Sequence, residues 1–529
     1  MSIARPHRRR RPRLRTRFLV TAVLVHATCV APAALIHLAC AGPAPKLFPA
    51  APIDTRPLAD GGTLRRYDTD GDGRADAGER LSADGRIVAL YDAAATARWD
   101  KSDTHVSDVP EIRLDGIPPA DRNELFIILD SVPYAVVRET RERGRFRFFH
   151  PPARVIAPFP VMTDLALAEF FGISPCAGVE SAYYDGETLT NGYFTYASDE
   201  NTPWHRFLDY RLNPVMHGTA YLHPRPWFDH ELRRIQECFL KQDRQRLTAY
   251  CVGTSALGAM YGRNGHQTAL VQLDRLCQAL LHARRGRIRI TLMSDHGHNL
   301  VSSRRLPLAE FLSRCGYRVT KRLEKTGDVV VPQFGVVTCA AIHTHEPVAV
   351  ARDVVGAEGV DLAACLAPSG EVRVFSRDGG EARITRRRNA YHYHALAGDP
   401  LQLTPILARL REAGRIDADG FIDDETLFQA TRDHVYPDAV RRLWRAFHGL
   451  IAHTPDVFVS IRDGWHWGSR LMSRTLDLAA AHGSLNRLSS SGFVMTTAGE
   501  LPPVVRMDRL RAVLKTVNVS VPGAEKAAR

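Results

Sequence analysis

The chain has 529 residues, of which 45% are hydrophobic and 24% charged. That composition excludes disorder as the default state and leaves room for two or three domains, or for one large α/β domain with insertions. The formal charge of +12 is no sign of nucleic-acid binding: Arg5, Arg8, Arg9, Arg10, Arg11, Arg13, Arg15 and Arg17 supply eight of those charges, leaving +4 for the rest, and no nucleic-acid-binding domain is expected.

Those arginines precede an uncharged run from Phe18 to Cys40. A positive flank before an apolar core reads as an export signal or signal anchor over residues 1–40. Leu38-Ala39-Cys40-Ala41-Gly42 resembles a bacterial lipoprotein processing site, with His37 where an aliphatic residue is usual. A cleaved or lipid-anchored product, the lipid at Cys40, is therefore expected, with an uncleaved membrane anchor as the alternative; Pro32 and the small residues toward the end of the run favour cleavage. No second span of about 20 apolar residues follows, which places the bulk of the chain on one side of the membrane, periplasmic or anchored in a bacterial-type envelope. The seven later cysteines, Cys176, Cys238, Cys251, Cys277, Cys315, Cys339 and Cys365, lack Cys-x-x-Cys spacing. They fit neither a zinc knuckle nor a disulfide scaffold; several sit in apolar settings as small hydrophobes, and one or two disulfides remain open.

Residues 41–105 read as a Pro-rich linker followed by a calcium loop. In Asp68-Thr69-Asp70-Gly71-Asp72-Gly73-Arg74-Ala75-Asp76-Ala77-Gly78-Glu79, oxygen donors fall at the first, third, fifth, ninth and twelfth places, and Gly73 permits the turn. The ligands expected for Ca2+ are Asp68, Asp70, Asp72, Arg74 through its backbone, Asp76 and Glu79 through both carboxylate oxygens. Helices do not flank it, because Gly61-Gly62-Thr63 precedes it and Arg86-Ile87-Val88-Ala89-Leu90-Tyr91 reads as a strand. A solitary structural loop, EF-hand-like in its spacing, is expected to staple this segment to the main domain with no part in catalysis.

From residue 106 to 505 the pattern is α/β. Phe126-Ile127-Ile128-Leu129 is a short, continuously apolar strand ending at Asp130, as central parallel strands tend to be. Glu231 to Arg246 carries Leu232, Ile235 and Phe239 on one helical face, and Ala269, Leu270, Leu273, Leu276, Leu280 and Leu281 form a second stripe leading into the strand Arg287 to Met293. Helix followed by strand, repeated, predicts a mostly parallel central sheet with helices on both faces. Between about 300 and 440 an inserted α+β subregion is expected, with a β-hairpin at Glu371–Ser376 and Ala382–Thr385. The alternation resumes with a helix over Tyr436–Leu450 and a core strand at Asp456–Ile461; residues 506–529 are left as a C-terminal tail.

The sharpest motif is Ser294-Asp295-His296-Gly297, at the end of the Arg287 strand. Strand ends are where ligands gather in such sheets, and Asp and His offer the oxygen and nitrogen donors that zinc-like cations prefer. Asp130 falls at a second strand end. Together with Thr163 in Phe159-Pro160-Val161-Met162-Thr163 and the late His482-Gly483-Ser484, these residues occur in an order that resembles the alkaline phosphatase superfamily, and most of all its type I phosphodiesterase and nucleotide pyrophosphatase group. The similarity covers roughly residues 120–500.

The resemblance implies a fold of that superfamily and a metal-dependent hydrolase of phosphate or related esters. Thr163 would be the nucleophile, a phosphothreonine would form and then be hydrolysed, and Asp130, Thr163, Asp295 and His296 would hold Zn2+ or a similar divalent transition metal. His482 would belong to a second metal. In the resembled group that second site also takes an Asp and a His from a segment aligned with Gly253-Thr254-Ser255-Ala256-Leu257-Gly258-Ala259-Met260, where Ser255 and Ala259 stand instead. A lone imidazole holds zinc poorly. Three outcomes follow: a one-metal hydrolase, a two-metal enzyme that recruits a donor such as His266, or a catalytically impaired binding protein on a phosphatase fold with one metal site. A calcium-stabilised adhesion or structural protein is a third class, resting on the Asp68 loop and the signal alone. The other histidine-bearing spots, His298, His217, His392 and His394, read as surface or hydrogen-bonded side chains. The substrate expected is a small-molecule or headgroup phosphoester, its alcohol portion unspecified.

Overall fold

The computed structural model describes residues 43–92, 111–180, 182–191, 202–241, 245–333 and 335–521. The expected export signal and Cys40 lie outside the described residues, and among those described no helix is long and apolar enough to cross a membrane.

The fold is mixed α/β. Six strands form its central sheet: β1 Asn123–Leu129, β2 Ala153–Ile156, β3 Arg246–Cys251, β4 Ile288–Ser294, β5 Ser491–Thr496 and β6 Val504–Arg506, in the spatial order β3-β1-β4-β5-β2-β6. Only β5 runs against its neighbours; the β3–β1, β1–β4 and β2–β6 pairs are parallel. Strand β1 shows why such runs read as unbroken apolar stretches. Leu125, Ile127 and Leu129 enter one core with α1 Tyr134–Glu142, α3 Pro224–Lys241 and the long helix α4 Gly253–Ala283, while Phe126 and Ile128 enter another with α2 Thr163–Phe171 and α5 Leu510–Thr516. Both faces are covered, so neither set of side chains can be polar.

Several boundaries differ from those read in the sequence. The helix expected over Glu231–Arg246 starts at Pro224 and stops at Lys241, because Arg246–Cys251 is the edge strand β3. The strand expected at Asp456–Ile461 forms over Val457–Ile461, but in a second, nine-stranded and largely antiparallel sheet, between Cys339–Thr344 and Val360–Leu366. The hairpin Val372–Ser376 with Glu381–Arg387 belongs to that sheet too. Residues beyond 506 do not trail away at once: Met507 and, from α5, Leu510 and Leu514 are buried in the core beneath the central sheet. Arg506 ties this end of the chain to the second sheet's helical flank through buried hydrogen bonds of 2.7–2.9 Å to Asp424 and Asp438. The seven cysteines are all free.

Ahead of the central sheet, Asp54–Pro57, Thr63–Tyr67, Ala77–Leu81, Ile87–Asp92 and Ile112–Arg113 form an antiparallel meander. It docks on α4: the Phe48 and His282 rings stack at 4.4 Å, and the Arg275 side chain donates to the Phe48 carbonyl at 2.6 Å.

Candidate metal centre and active site

Register brings the two acidic strand ends together. Parallel strands β1 and β4 pair Leu129 with Ser294, so the next residues, Asp130 and Asp295, leave the sheet side by side. Ser131 takes a positive φ of 63°, an uncommon turn for a non-glycine residue, and its N–H donates to Asp295 Oδ1 at 3.0 Å. The Val132 N–H donates to Ser294 Oγ at 2.8 Å, and that hydroxyl donates to the His296 carbonyl at 2.6 Å. These cross-ties fix both carboxylates before any ligand arrives.

One oxygen from each of Asp130 and Asp295 and one nitrogen of His296 lie mutually within 4.8 Å, and all three residues are buried. Asp130 accepts from Ser131 Oγ at 2.5 Å and from the Tyr250 hydroxyl at 2.6 Å. His296 Nδ1 lies 3.3 Å from the Gly297 carbonyl, which only accepts, so Nδ1 carries the proton and Nε2 is a lone pair. Thr163, the first residue of α2, sits with its hydroxyl 3.2 Å from that Nε2 and is therefore the donor there. Nε2 also faces Asp295 Oδ2 at 3.4 Å, acceptor against acceptor, and Oδ2 has no hydrogen-bond partner. Metal bonds of about 2.0–2.2 Å at a tetrahedral angle separate two ligand atoms by about 3.4 Å.

The electrostatics agree. Burial, and secondarily the charge of Asp295, push the Asp130 carboxyl up to about 7. Burial raises Asp295 to about 6 against the pull of the Ser131 amide, and lowers His296 to about 3. No Lys or Arg is among the described residues lining the adjoining cavity of about 140 Å³, so nothing in its wall balances two carboxylates. The donor set, the orphaned Oδ2 and the missing counter-charge all fit a divalent transition metal held by Asp130, Asp295, His296 and the Thr163 hydroxyl.

His482 reaches the same cavity. Its Nδ1 lies 2.9 Å from the Val161 carbonyl and so donates, leaving a lone pair on Nε2, and its ring stacks on His296 at 4.3 Å. Ser255 and Ala259 line the cavity as well. The Ser255 hydroxyl is engaged by Tyr221 at 3.0 Å and Ser131 at 3.2 Å, and a methyl group ligates nothing. His266 does not step in directly: its Nε2 is turned to His298 Nδ1 at 3.0 Å.

The calcium loop is gathered only in part. Asp68, Asp70 and Asp76 offer oxygens mutually within 4.8 Å, while the Asp72 carboxylate accepts from the Arg74 N–H at 2.8 Å. Glu79 stands apart from those three. It lies within the strand Ala77–Leu81, is buried, and faces His282 Nε2 at 3.2 Å rather than the loop.

Sequence reasoning missed much of the cavity wall. Tyr250 on β3, and Glu180, Trp204, His217 and Tyr221, were not assigned to the site, yet Tyr250 binds Asp130 and the other four line the cavity. Glu180 is a carboxyl pushed up to about 8 by burial and by the charges of Asp164 and Asp130, against the pull of the Gly335 amide. The β-prone run Leu247-Thr248-Ala249-Tyr250-Cys251 is the one local signal for Tyr250, since it marks a further strand; its pairing with β1 brings it to Asp130. Nothing local marks the others.

No family model matches the chain, and no curated protein matches it. Among solved structures it is similar to human ectonucleotide pyrophosphatase/phosphodiesterase 5, with 10% identity over 76% of this chain and 96% of that one and a TM-score of 0.41. The murine ectonucleotide pyrophosphatase/phosphodiesterase 5 gives 12% identity over 76% and 96%, with a TM-score of 0.39. Phosphonoacetate hydrolase from Sinorhizobium meliloti 1021, in complex with phosphonoacetate, gives 12% over 75% and 95%, with a TM-score of 0.37. At such TM-scores the likeness has no weight for the chemistry, which rests on the side chains themselves.

Proposed function

We propose that this chain is a metal-dependent hydrolase of phosphate or related esters, exported and acting through Thr163, of the alkaline phosphatase type. The observation that carries the reading is the meeting of the Thr163 hydroxyl with the buried Asp130, Asp295 and His296 donors beside one cavity. When bound there, a divalent transition metal such as zinc neutralises phosphoryl oxygens and depresses the pKa of the neighbouring hydroxyl.

The chain's own residues supply the rest. Thr163 opens α2, whose N-terminal dipole favours negative charge on its oxygen. Attack forms the Thr163 Oγ–phosphorus bond as the bond to the ester's alcohol oxygen breaks, and the alcohol leaves with a proton. Water then cleaves the phosphothreonine, returning the hydroxyl and releasing phosphate or its monoester. Ser131 and Tyr250 hold the carboxylates in place throughout. The substrate is a small molecule or headgroup, and the Asp68 loop, with calcium, stabilises the meander without touching the reaction.

Purified protein loaded with zinc is expected to release a phenol from a phosphoester reporter. Thr163→Ala should lower that rate by about 10³-fold or more with the metal retained, and Asp295→Asn should lose both rate and metal. About one transition-metal ion per chain is expected by elemental analysis, since Ser255 and Ala259 leave the second position bare. Bound metal without turnover on monoester, diester and sulfate reporters would turn the reading to a binding protein on the same fold, a reading that the missing second ligand set favours.

A further inference from the structure

Two buried histidines, His298 in the cavity wall and His266 behind it, stand outside the cluster around Thr163. His266 Nε2 and His298 Nδ1 are 3.0 Å apart, so one nitrogen carries the shared proton, and the surroundings decide which. The remaining nitrogen of His266, Nδ1, is buried without a hydrogen-bond partner. Were His298 Nδ1–H the donor, a neutral His266 would carry its own proton on that orphaned Nδ1. A buried N–H with nothing to accept it is rarely tolerated, and an idle lone pair is the lesser cost. His266 Nε2–H is therefore the donor, and the proton of neutral His298 resides on Nε2.

With Nδ1 occupied by His266, Nε2 is the atom His298 has left for the cavity, which it lines beside Asp130, Thr163, Ser255, Ala259 and His482. Its ring is 5.7 Å from that of His482. The pair is set in place by the backbone of α4. Gly262, at φ 58° and ψ −138°, breaks the helix, and the chain returns so closely that a Cβ on Gly265 would stand 2.0 Å from the Leu257 carbonyl oxygen. His266 thereby lies over Gly258. These imidazoles do not rebuild a second cation site: among the described residues the one buried group of three mutually close ligand atoms is Asp130, Asp295 and His296.

We propose that His298, oriented by His266, donates a hydrogen bond from Nε2 to a non-bridging oxygen of a phosphoryl group in the cavity, on the side where Ser255 and Ala259 cannot hold a cation. This inference rests on the phosphoester reading above. His298 is then a substrate-binding donor, and His266 is a positioning residue that acts through it.

The test uses the full zinc-loaded protein, calorimetric titration with inorganic phosphate, elemental analysis, and nitrogen-15 NMR of the imidazoles. Wild-type His298 should show a proton on Nε2. His298→Ala should bind phosphate roughly 10- to 100-fold more weakly at unchanged metal content, as expected for loss of one bond to a charged group. His298→Gln should recover part of the affinity through its amide N–H. His266→Gln, which keeps a donor toward His298, should stay near wild type, and His266→Phe should bind weakly and scramble the His298 proton between its two nitrogens. A proton on Nδ1 of wild-type His298 overturns the proposal even if no variant folds. Unaltered phosphate affinity in His298→Ala, or a loss of metal from it, overturns this proposal alone. Wild-type protein that binds zinc but no phosphate overturns the phosphoester reading and this inference with it.

Discussion

A methyl group at Gly258 would stand 2.1 Å from His266 Nε2 and 2.8 Å from His298 Nδ1, both on rings that are fixed in the interior. Alanine gains about 1 kcal/mol over glycine in a helix, but forcing atoms into a filled site costs about 1–3 kcal/mol. Gly258→Ala is therefore expected to lower stability on balance, by about 1 kcal/mol, and to separate the histidine pair; denaturant unfolding and the His298 imidazole signals would report the two effects. A variant as stable as wild type with the pair intact would contradict that packing. At this scale, legibility followed sequence distance and local grammar. Asp130, Asp295 and His296 could be read because each ends an apolar strand, and neighbouring parallel strands deliver their ends to one place. Ser255 and Ala259 could be read as absent ligands only through the resemblance. The His266–His298 contact could not, because it depends on the break at Gly262, where one glycine among the helix's several decides the direction of the chain. The setting of Glu79 was as illegible: a strand follows the loop, and alternation puts Glu79 on the buried face with Ala77 and Leu81.

Helix α4 begins without a cap of its own, since Val252 offers no side-chain acceptor. Glu231 from α3 fills that role, taking the Val252 N–H at 3.0 Å and the Gly253 N–H at 2.8 Å. Burial pushes its carboxyl up to about 8 in spite of those two donors. A carboxyl whose folded value exceeds its unfolded one stabilises the fold fully below the unfolded value near 4.5, and that contribution is lost as pH rises through about 8. The melting-temperature gap between wild type and Glu231→Gln is thus expected to narrow steadily from pH 5 to pH 8, as measured by thermal scans in matched buffers. A gap that widens over this window would reverse the assigned direction. The elements themselves were mostly legible, because periodicity reports a strand or helix wherever its faces differ or are both buried. Their membership was not. Val457–Ile461 is as apolar as β1, and a fully buried strand carries no mark of which sheet it joins; it entered the antiparallel sheet, where Cys339–Thr344 flanks it.

Across the whole molecule, the N-terminal meander meets the central-sheet domain at the loop after α1, where the Ile87 N–H donates to the Arg147 carbonyl at 3.1 Å, and at α4. Phe48 hydrogen-bonds Arg275 through its N–H and carbonyl and stacks on His282, and His282 also meets Glu79. The Asp68 loop closes the hairpin between Thr63–Tyr67 and Ala77–Leu81, and the lining of the Thr163 cavity includes none of these residues. An ion held by Asp68, Asp70 and Asp76 would therefore tighten the hairpin and, through it, the docking on α4, while leaving the chemistry alone. Excess calcium is expected to raise the melting temperature of wild type by about 1–3 °C, the scale on which binding to the folded state shifts a large protein. The shift should vanish in Asp70→Asn and persist in Glu79→Gln, because Glu79 lies in the strand with one carboxylate oxygen on His282 and outside the Asp68, Asp70 and Asp76 group. Reporter hydrolysis by the zinc-loaded protein should be the same with and without calcium in all three. If Glu79→Gln instead abolished the calcium response, the loop would have to close with its twelfth residue after all, and the strand would have to break to let it.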